Sequence, residues 1–267
     1  MDVINISDSN DRNDTNSIVY DGVTRDVVTI NRRKEDTNES INLENGENGL
    51  FITDEKANQM NQEGIVFFKL LNSLTGNIFE CNKKTGEIYL GNNKSANNIT
   101  SNKNTSATLA KLIEDNIGVN ANQRILFRVG KYLNQIDFDG YINGKVDIED
   151  LKFNKTDNYK ETLQSCMIYH FTYERVNTEN YEKVKSQMIN FNILHTNARN
   201  AETAVWNEMQ NDSIPNIIEQ NWVPNNPKTN KVDGINFYKS IYYGEHFRLI
   251  IQRNKNTQKL YFGYEIH

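Results

Sequence analysis

"YEKVKSQMINFNILHTNARNAETAVWNEM", residues 181–209, decides the fold. Tyr181, Val184, Met188, Phe191, His195, Ala198, Glu202, Val205 and Met209 recur at alternating steps of three and four. That spacing is one face of a long helix, and an apolar face of this kind turns toward a core. Two members of the face are ionisable, His195 and Glu202, two turns apart with the small Ala198 between them.

The stretch before it, residues 159–176, reads as a second helix. Leu163, Cys166, Met167, His170 and Glu174 fall on one stripe at three- and four-residue steps, so His170 and Glu174 stack one above the other on the buried side. Two neighbouring helices therefore each place one His and one Glu in an apolar seam. A buried charge is costly unless it is paired or coordinated. The quartet has two ways to meet that cost. It can close into a hydrogen-bonded polar core, which is the ordinary fate of a seam histidine, or it can hold a divalent metal through imidazole nitrogens and carboxylate oxygens.

Helix geometry sets a condition on the second way. With a turn near Asn177–Asn180 and a rise of about 1.5 Å per residue, His170 sits roughly 12 Å back from the turn. A second helix unbroken from residue 180 would carry His195 roughly 22 Å away, a miss of about 10 Å. The two imidazoles meet only if residues 177–186 are mostly loop or the helix breaks near "INFN".

Around this pair the chain reads as α+β: a central helix pair packed with short antiparallel strands and a C-terminal β-meander. "NIFECNKKTGEIYLGNN" is a hairpin with Gly86 supplying a positive φ. "TSATLAKLIEDNI", residues 105–117, is a helix capped by Ser106 and stopped by Gly118. "RILFRV" and "KVDIEDL" read as strands. "IPNIIEQNWVPNNPKTNKVDG" holds all three prolines and reads as an irregular crossing. "INFYKSIYY", "HFRLIIQR" and "KLYFGYEIH" form the meander.

Composition bounds the rest. The chain has 267 residues, 37% of them hydrophobic, and the shortfall falls mostly in residues 1–48. These are Asn-, Asp-, Ser- and Thr-rich and cannot bury enough surface to offset their ordering entropy, so they read as a polar tail or linker carrying at most a hairpin. Residues 49–267 then form one domain. Net charge is −5 and there is no basic run, which speaks against an extended nucleic-acid-binding face. Cys81 and Cys166 are too few for a disulfide framework. No apolar run reaches membrane-spanning length, and the N-terminus lacks a classical secretory signal.

"MIYHFTYER" followed by "NFNILHTNARNAE" resembles the zincin-like C-terminal domains of bacterial polymorphic toxins and Rhs-type proteins, which carry HExxE or HExxH on one helix and a later H-x-x-A-x-x-A-E-like stretch. The upstream "FDGYINGKVDIEDL" adds to the likeness, which covers roughly residues 65–210. It implies that His170 and Glu174 are metal ligands, that His195 is a third ligand or its partner, and that Glu202 is an acidic partner or catalytic base. It also implies zinc, amide-bond hydrolysis in a target-cell macromolecule, an immunity protein as partner, and delivery by a contractile or other specialised secretion route. One departure stands out. Phe171 occupies the place of the zincin general-base Glu, and a phenyl ring takes no proton from water.

Other constellations compete. Counting Asp139 as position 1, "DGYINGKVDIED" places Asn143, Gly144 and Asp150 as a calcium loop would, but position 3 is Tyr141, so a turn and strand is the plainer reading. His246, Arg248, Arg253 and His267, with Tyr242, Tyr243, Tyr261 and Tyr264, offer an acid, a base and a phosphate clamp for a nuclease on the C-terminal sheet. A solvated strand face is its structural counterpart. Cys166 lies one turn before His170 and suggests a thiol–imidazole pair, although buried cysteines more often pack than react. The expected function is thus a toxin- or effector-like domain with a His/Glu metal site, with a nuclease effector or a non-catalytic binding or delivery module as alternatives.

Overall fold

Asn61 and Ser106 each start a helix by accepting a backbone bond into the side chain. Asn61 Oδ1 takes the Gly64 N–H at 2.6 Å, and Ser106 Oγ takes that of Leu109 at 2.9 Å. The computed structural model describes residues 48–53, 60–132, 136, 138–140, 144–153, 158–177 and 188–267. In chain order the elements are β1 (Gly49–Thr53), α1 (Gln62–Leu74), β2 (Phe79–Cys81), β3 (Ile88–Leu90), α2 (Ala107–Glu114), β4 (Arg124–Gly130), β5 (Asp139–Gly140) and β6 (Lys145–Asp147). They continue with α3 (Lys160–Val176), α4 (Met188–Gln210), β7 (Ile217–Glu219), β8 (Asn225–Asn226), β9 (Lys231–Val232), β10 (Asn236–Tyr243), β11 (Phe247–Asn254) and β12 (Leu260–Ile266). The polar tail expected over residues 1–48 lies, up to residue 47, outside the described residues.

The α+β class holds, with two four-stranded sheets, ordered β1-β4-β6-β5 and β12-β11-β10-β7. The first differs from the expected antiparallel strands: β1 pairs with β4, and β4 with β6, in parallel, and only β5 runs against β6. The hairpin β2–β3 forms as expected, Phe79 opposite Leu90. Gly86 sits at φ +73°, and a Cβ there would lie 1.9 Å from the Ile52 carbonyl oxygen, so the turn requires glycine. Gly144, at φ +71° and pressed against the Leu126 carbonyl, has the same cause, the close approach of β6 to β4. That role suits the turn-and-strand reading of this stretch, while residues 141–143 of the calcium-loop alternative lie outside the described residues.

The meander is as expected, with Tyr243 opposite Phe247 and Leu249 opposite Tyr264. The proline-rich crossing is not wholly irregular. It contains β7, which adds to the edge of β10 with Glu219 opposite Ile241.

Helix α3 is the hub. It is buried nearly all round, Thr162 through Thr172 and again Glu174 and Arg175, so the single apolar stripe read from sequence is too narrow. On one side Phe171 packs on Phe127 of β4, ring centres 5.2 Å apart, and on Phe138 at 6.3 Å. On another it packs along α4. Helix α4 in turn lies on the second sheet through Trp206, which stacks on Tyr243 at 4.2 Å and meets Phe247 at 4.9 Å. Tyr159 closes this aromatic cluster against Phe247 at 4.6 Å. Glu208 fastens α4 to the start of α2: its carboxylate accepts from Ser101 Oγ (2.8 Å), Thr108 Oγ1 (3.0 Å), the Thr108 N–H (3.1 Å) and Ser106 Oγ. On α4 the seam members Ala198, Glu202, Val205 and Met209 are buried, while His195 is half-buried. Tyr181 and Val184 lie outside the described residues, as do the side chains of Met188 and Phe191.

Candidate metal centre

Beyond Asn177, the expected loop over residues 177–186 lies outside the described residues, and α4 is described from Met188. His170 and His195 come level, their ring centres 4.6 Å apart and their planes at 72°.

Three ligand atoms converge. His170 Nε2 lies 3.1 Å from His195 Nδ1 and 3.1 Å from Glu174 Oε1, and His195 Nδ1 lies 2.9 Å from the same oxygen. All three meet at one point, and they form the one group of metal-binding spacing among the described residues. Tetrahedral ligands about 2.05 Å from a zinc lie roughly 3.3 Å apart, so this triangle needs to widen by only a few tenths of an ångström to hold such an ion.

The outer edge of each imidazole explains why the inner atoms can be ligands. His170 Nδ1 faces Glu202 Oε2 at 3.2 Å, and His195 Nε2 faces Glu219 Oε2 at 3.3 Å. Ionised carboxylates only accept, so the outer nitrogens carry protons and donate. In the neutral imidazole the inner nitrogen of each ring then holds a lone pair, directed at the other and at Glu174. A carboxylate behind the imidazole is the usual support of a metal-bound histidine, because it fixes both tautomer and ring orientation.

Burial sharpens the chemistry. Glu202 is wholly buried, and its two oxygens are taken by His170, by Arg199 Nη1 (2.6 Å) and by the Tyr243 hydroxyl (3.0 Å). Burial by itself raises a carboxyl group, but in Glu202 the Arg199 guanidinium and the His170 bond win and hold it below its ordinary value. In Glu174 burial likewise opposes ionisation, and the two imidazoles outweigh it, to about 2. Burial depresses both imidazoles. The bonds of Glu174 and Glu219 nonetheless push His195 up to about 9, and those of Glu174 and Glu202 raise His170 even against Arg199. Without a metal, then, the surrounding carboxylates favour the protonated form of both imidazoles. The side chain of His195 is 28% exposed against 5% for His170 and 2% for Glu174, so the centre opens to solvent past His195.

Three residues of the cluster, Arg199, Glu219 and Lys239, were not singled out in the sequence, and a fourth, Tyr243, was named only for the nuclease alternative. Arg199 lies within "HTNARNAE", one turn after His195, and its spacing was legible. Glu219 arrives on β7, and Lys239 and Tyr243 on β10, with no local signal. The register of β7 on β10 puts Glu219 on the sheet face that carries Lys239 and Tyr243, toward α4. There Lys239 Nζ holds Glu219 Oε1 at 2.5 Å.

The competing constellations come apart. His246 is exposed in the turn after Gly244, outside the strand β11 that carries Arg248. Arg248 is bonded to Glu265 and packs on the Tyr242 ring, Arg253 lies 4.1 Å over the Trp222 ring, and Tyr243 is buried against Glu202. Both cysteines are free. Burial, the main cause in each, raises Cys166 well above its ordinary value and Cys81 to about 12, so neither is poised as a thiolate. Two clefts, of about 510 and 470 Å3, lie elsewhere, beside α2 and between Phe153 and β12. The converging donors, not cleft size, mark the centre. No described helix is long and apolar enough to cross a membrane. Compared with known proteins, the chain matches no family model, no curated protein and no solved structure.

Proposed function

We propose that the domain binds a divalent metal, zinc by ligand type, through His170, Glu174 and His195, and that it is a metal-dependent hydrolase of the effector type. The observation that carries this reading is the meeting of three donor atoms within 3.1 Å, with a carboxylate behind each imidazole. Two histidines and one carboxylate with an open fourth position are a catalytic rather than a structural zinc set. Bound there, zinc would supply Lewis-acid polarisation of a carbonyl and a more acidic water. The chain's own part is to orient: Glu202 holds His170, Glu219 holds His195, and exposure on the His195 side leaves an approach for substrate.

An amide bond in a target-cell macromolecule as substrate, an immunity protein as partner and delivery by a specialised secretion route come from the likeness of "MIYHFTYER…NFNILHTNARNAE" to toxin domains. They are proposed on that ground. Elemental analysis of purified protein tests the centre. Wild type is expected to carry close to one zinc per chain after dialysis, and His170→Ala none. Stoichiometric zinc retained by His170→Ala would sink the proposal. A wild type that takes up no metal would leave the cluster as a polar core of a binding module.

A further inference from the structure

Among the described residues, Arg199 is the one side chain that touches both carboxylates behind the imidazoles. Its Nε donates to Glu219 Oε2 at 2.6 Å, and the same oxygen receives His195 Nε2 at 3.3 Å. Its Nη1 donates to Glu202 Oε2 at 2.6 Å, and that same oxygen receives His170 Nδ1 at 3.2 Å. The contacts close a ring: Arg199, Glu202, His170, Glu174, His195, Glu219 and back to Arg199. Of the two carboxylates, Lys239 reaches Glu219 and Tyr243 reaches Glu202.

We infer that Arg199 is the positioning residue of the centre, a single guanidinium that fixes the orientation and tautomer of both histidines at once. The inference rests on the metal reading above. The fork matters as much as the charge. Two N–H groups of a planar guanidinium leave in different directions at fixed angles, so one group can set two carboxylates, whereas an ammonium on a flexible stem offers a point charge to one of them. The local sequence provides the reach. Arg199 is one turn beyond His195 and three residues before Glu202 on α4, so it shares their face, while β7 brings Glu219 up to it from the sheet. Charge balance points the same way. The buried carboxylates Glu174 and Glu202 and the half-buried Glu219 are answered by Arg199, Lys239 and either imidazole protons or a dication. Arg199 is the fixed part of that balance, and its bonds go to Glu202 and Glu219 rather than to the ligand atoms.

Cobalt(II) titration of the full chain, followed by its visible absorption, is the test. Wild type is expected to bind one cobalt with a spectrum characteristic of the site. Arg199→Gln is expected to bind about 10- to 100-fold more weakly, the usual cost of removing an outer partner of a metal site, and with a shifted spectrum. Arg199→Lys should recover only part of the loss. Glu208→Ala, a destabilised control away from the centre, should keep wild-type affinity and spectrum. If Arg199→Gln does not fold, Arg199→Gln/Glu219→Gln, which removes one charge of each sign, is compared with Glu219→Gln alone and should bind more weakly by at least about 10-fold. Wild-type affinity and spectrum in Arg199→Gln, or equality within the second pair, would overturn the role of Arg199 and leave the metal reading standing. A wild type that takes no cobalt would overturn both.

Discussion

His170 and His195, 25 residues apart in sequence, face each other with Nε2 and Nδ1 separated by 3.1 Å, each pinned from behind by a different carboxylate. Two inner nitrogens and Glu174 Oε1 cannot all be satisfied by one another without a shared proton or a cation. That competition makes metal uptake pH-dependent. His195 is raised to about 9 and His170 is also raised, so at neutral pH an entering ion must displace imidazole protons. Apparent affinity is expected to climb as pH rises toward 9. Calorimetry at pH 7 in buffers of different ionisation enthalpy should show proton release, and buffer-independent heats would contradict it. For the metal-free protein the sign is reversed. A raised histidine contributes stability that is complete below its ordinary 6.5 and is lost as pH rises through about 9, so the melting temperature without metal should fall across that window.

Phe171 stands where the resembled domains have their base, yet here it faces Phe127 and Phe138 and is fully buried. Phe171→Glu is therefore expected to cost at least about 3–5 kcal/mol, by loss of ring burial and by a charge facing the sheet. It should create no new peptidase activity. Urea denaturation measures the cost, and a variant as stable as wild type would show that position 171 is not committed to the core.

Tyr243 supplies the bond to Glu202 Oε1 at 3.0 Å from within the aromatic cluster around Trp206. Tyr243→Phe keeps the stack and removes the donor. Stability should drop by about 1.5–3 kcal/mol, the worth of a hydrogen bond to a buried charge. His170 should lose part of its orientation, read as weaker cobalt binding, in contrast to the unaltered binding expected for a change at Trp222, which touches neither histidine.

Glu208 ties α4 to the first turn of α2 through Ser101, Ser106 and Thr108. Glu208→Ala removes the anion from a helix N-terminus and several of its bonds at once. A loss of about 1–2 kcal/mol in chemical unfolding is expected, with metal content unchanged. Loss of metal together with stability would mean that the α2–α4 tie and the centre are one cooperative unit.

The sequence by itself determined the two seams. Alternating three- and four-residue steps put His170, Glu174 and Glu202 on buried helix faces and His195 at the half-buried end of one, because helical periodicity is local and survives in a single chain. It likewise determined the Gly86 hairpin, the Ser106 cap and the C-terminal meander, each set by a short-range steric or hydrogen-bonding rule. Tertiary structure alone decided the rest. The parallel pairing of β1 with β4 joins segments about 75 residues apart, with partners such as Gly49 and Arg124 that no local pattern connects. Whether His170 and His195 would meet depended on how α4 packs along α3, a non-local contact that helical periodicity does not specify. Glu219 carried no signal at all. It lies among prolines in a stretch that reads as loop, and only the register of a three-residue strand on β10 turns it toward His195 and Arg199. Periodicity can say that a face is buried. Which residues from a distant strand complete that face is set by non-local packing, and so the outer support of the centre became visible only in the folded chain.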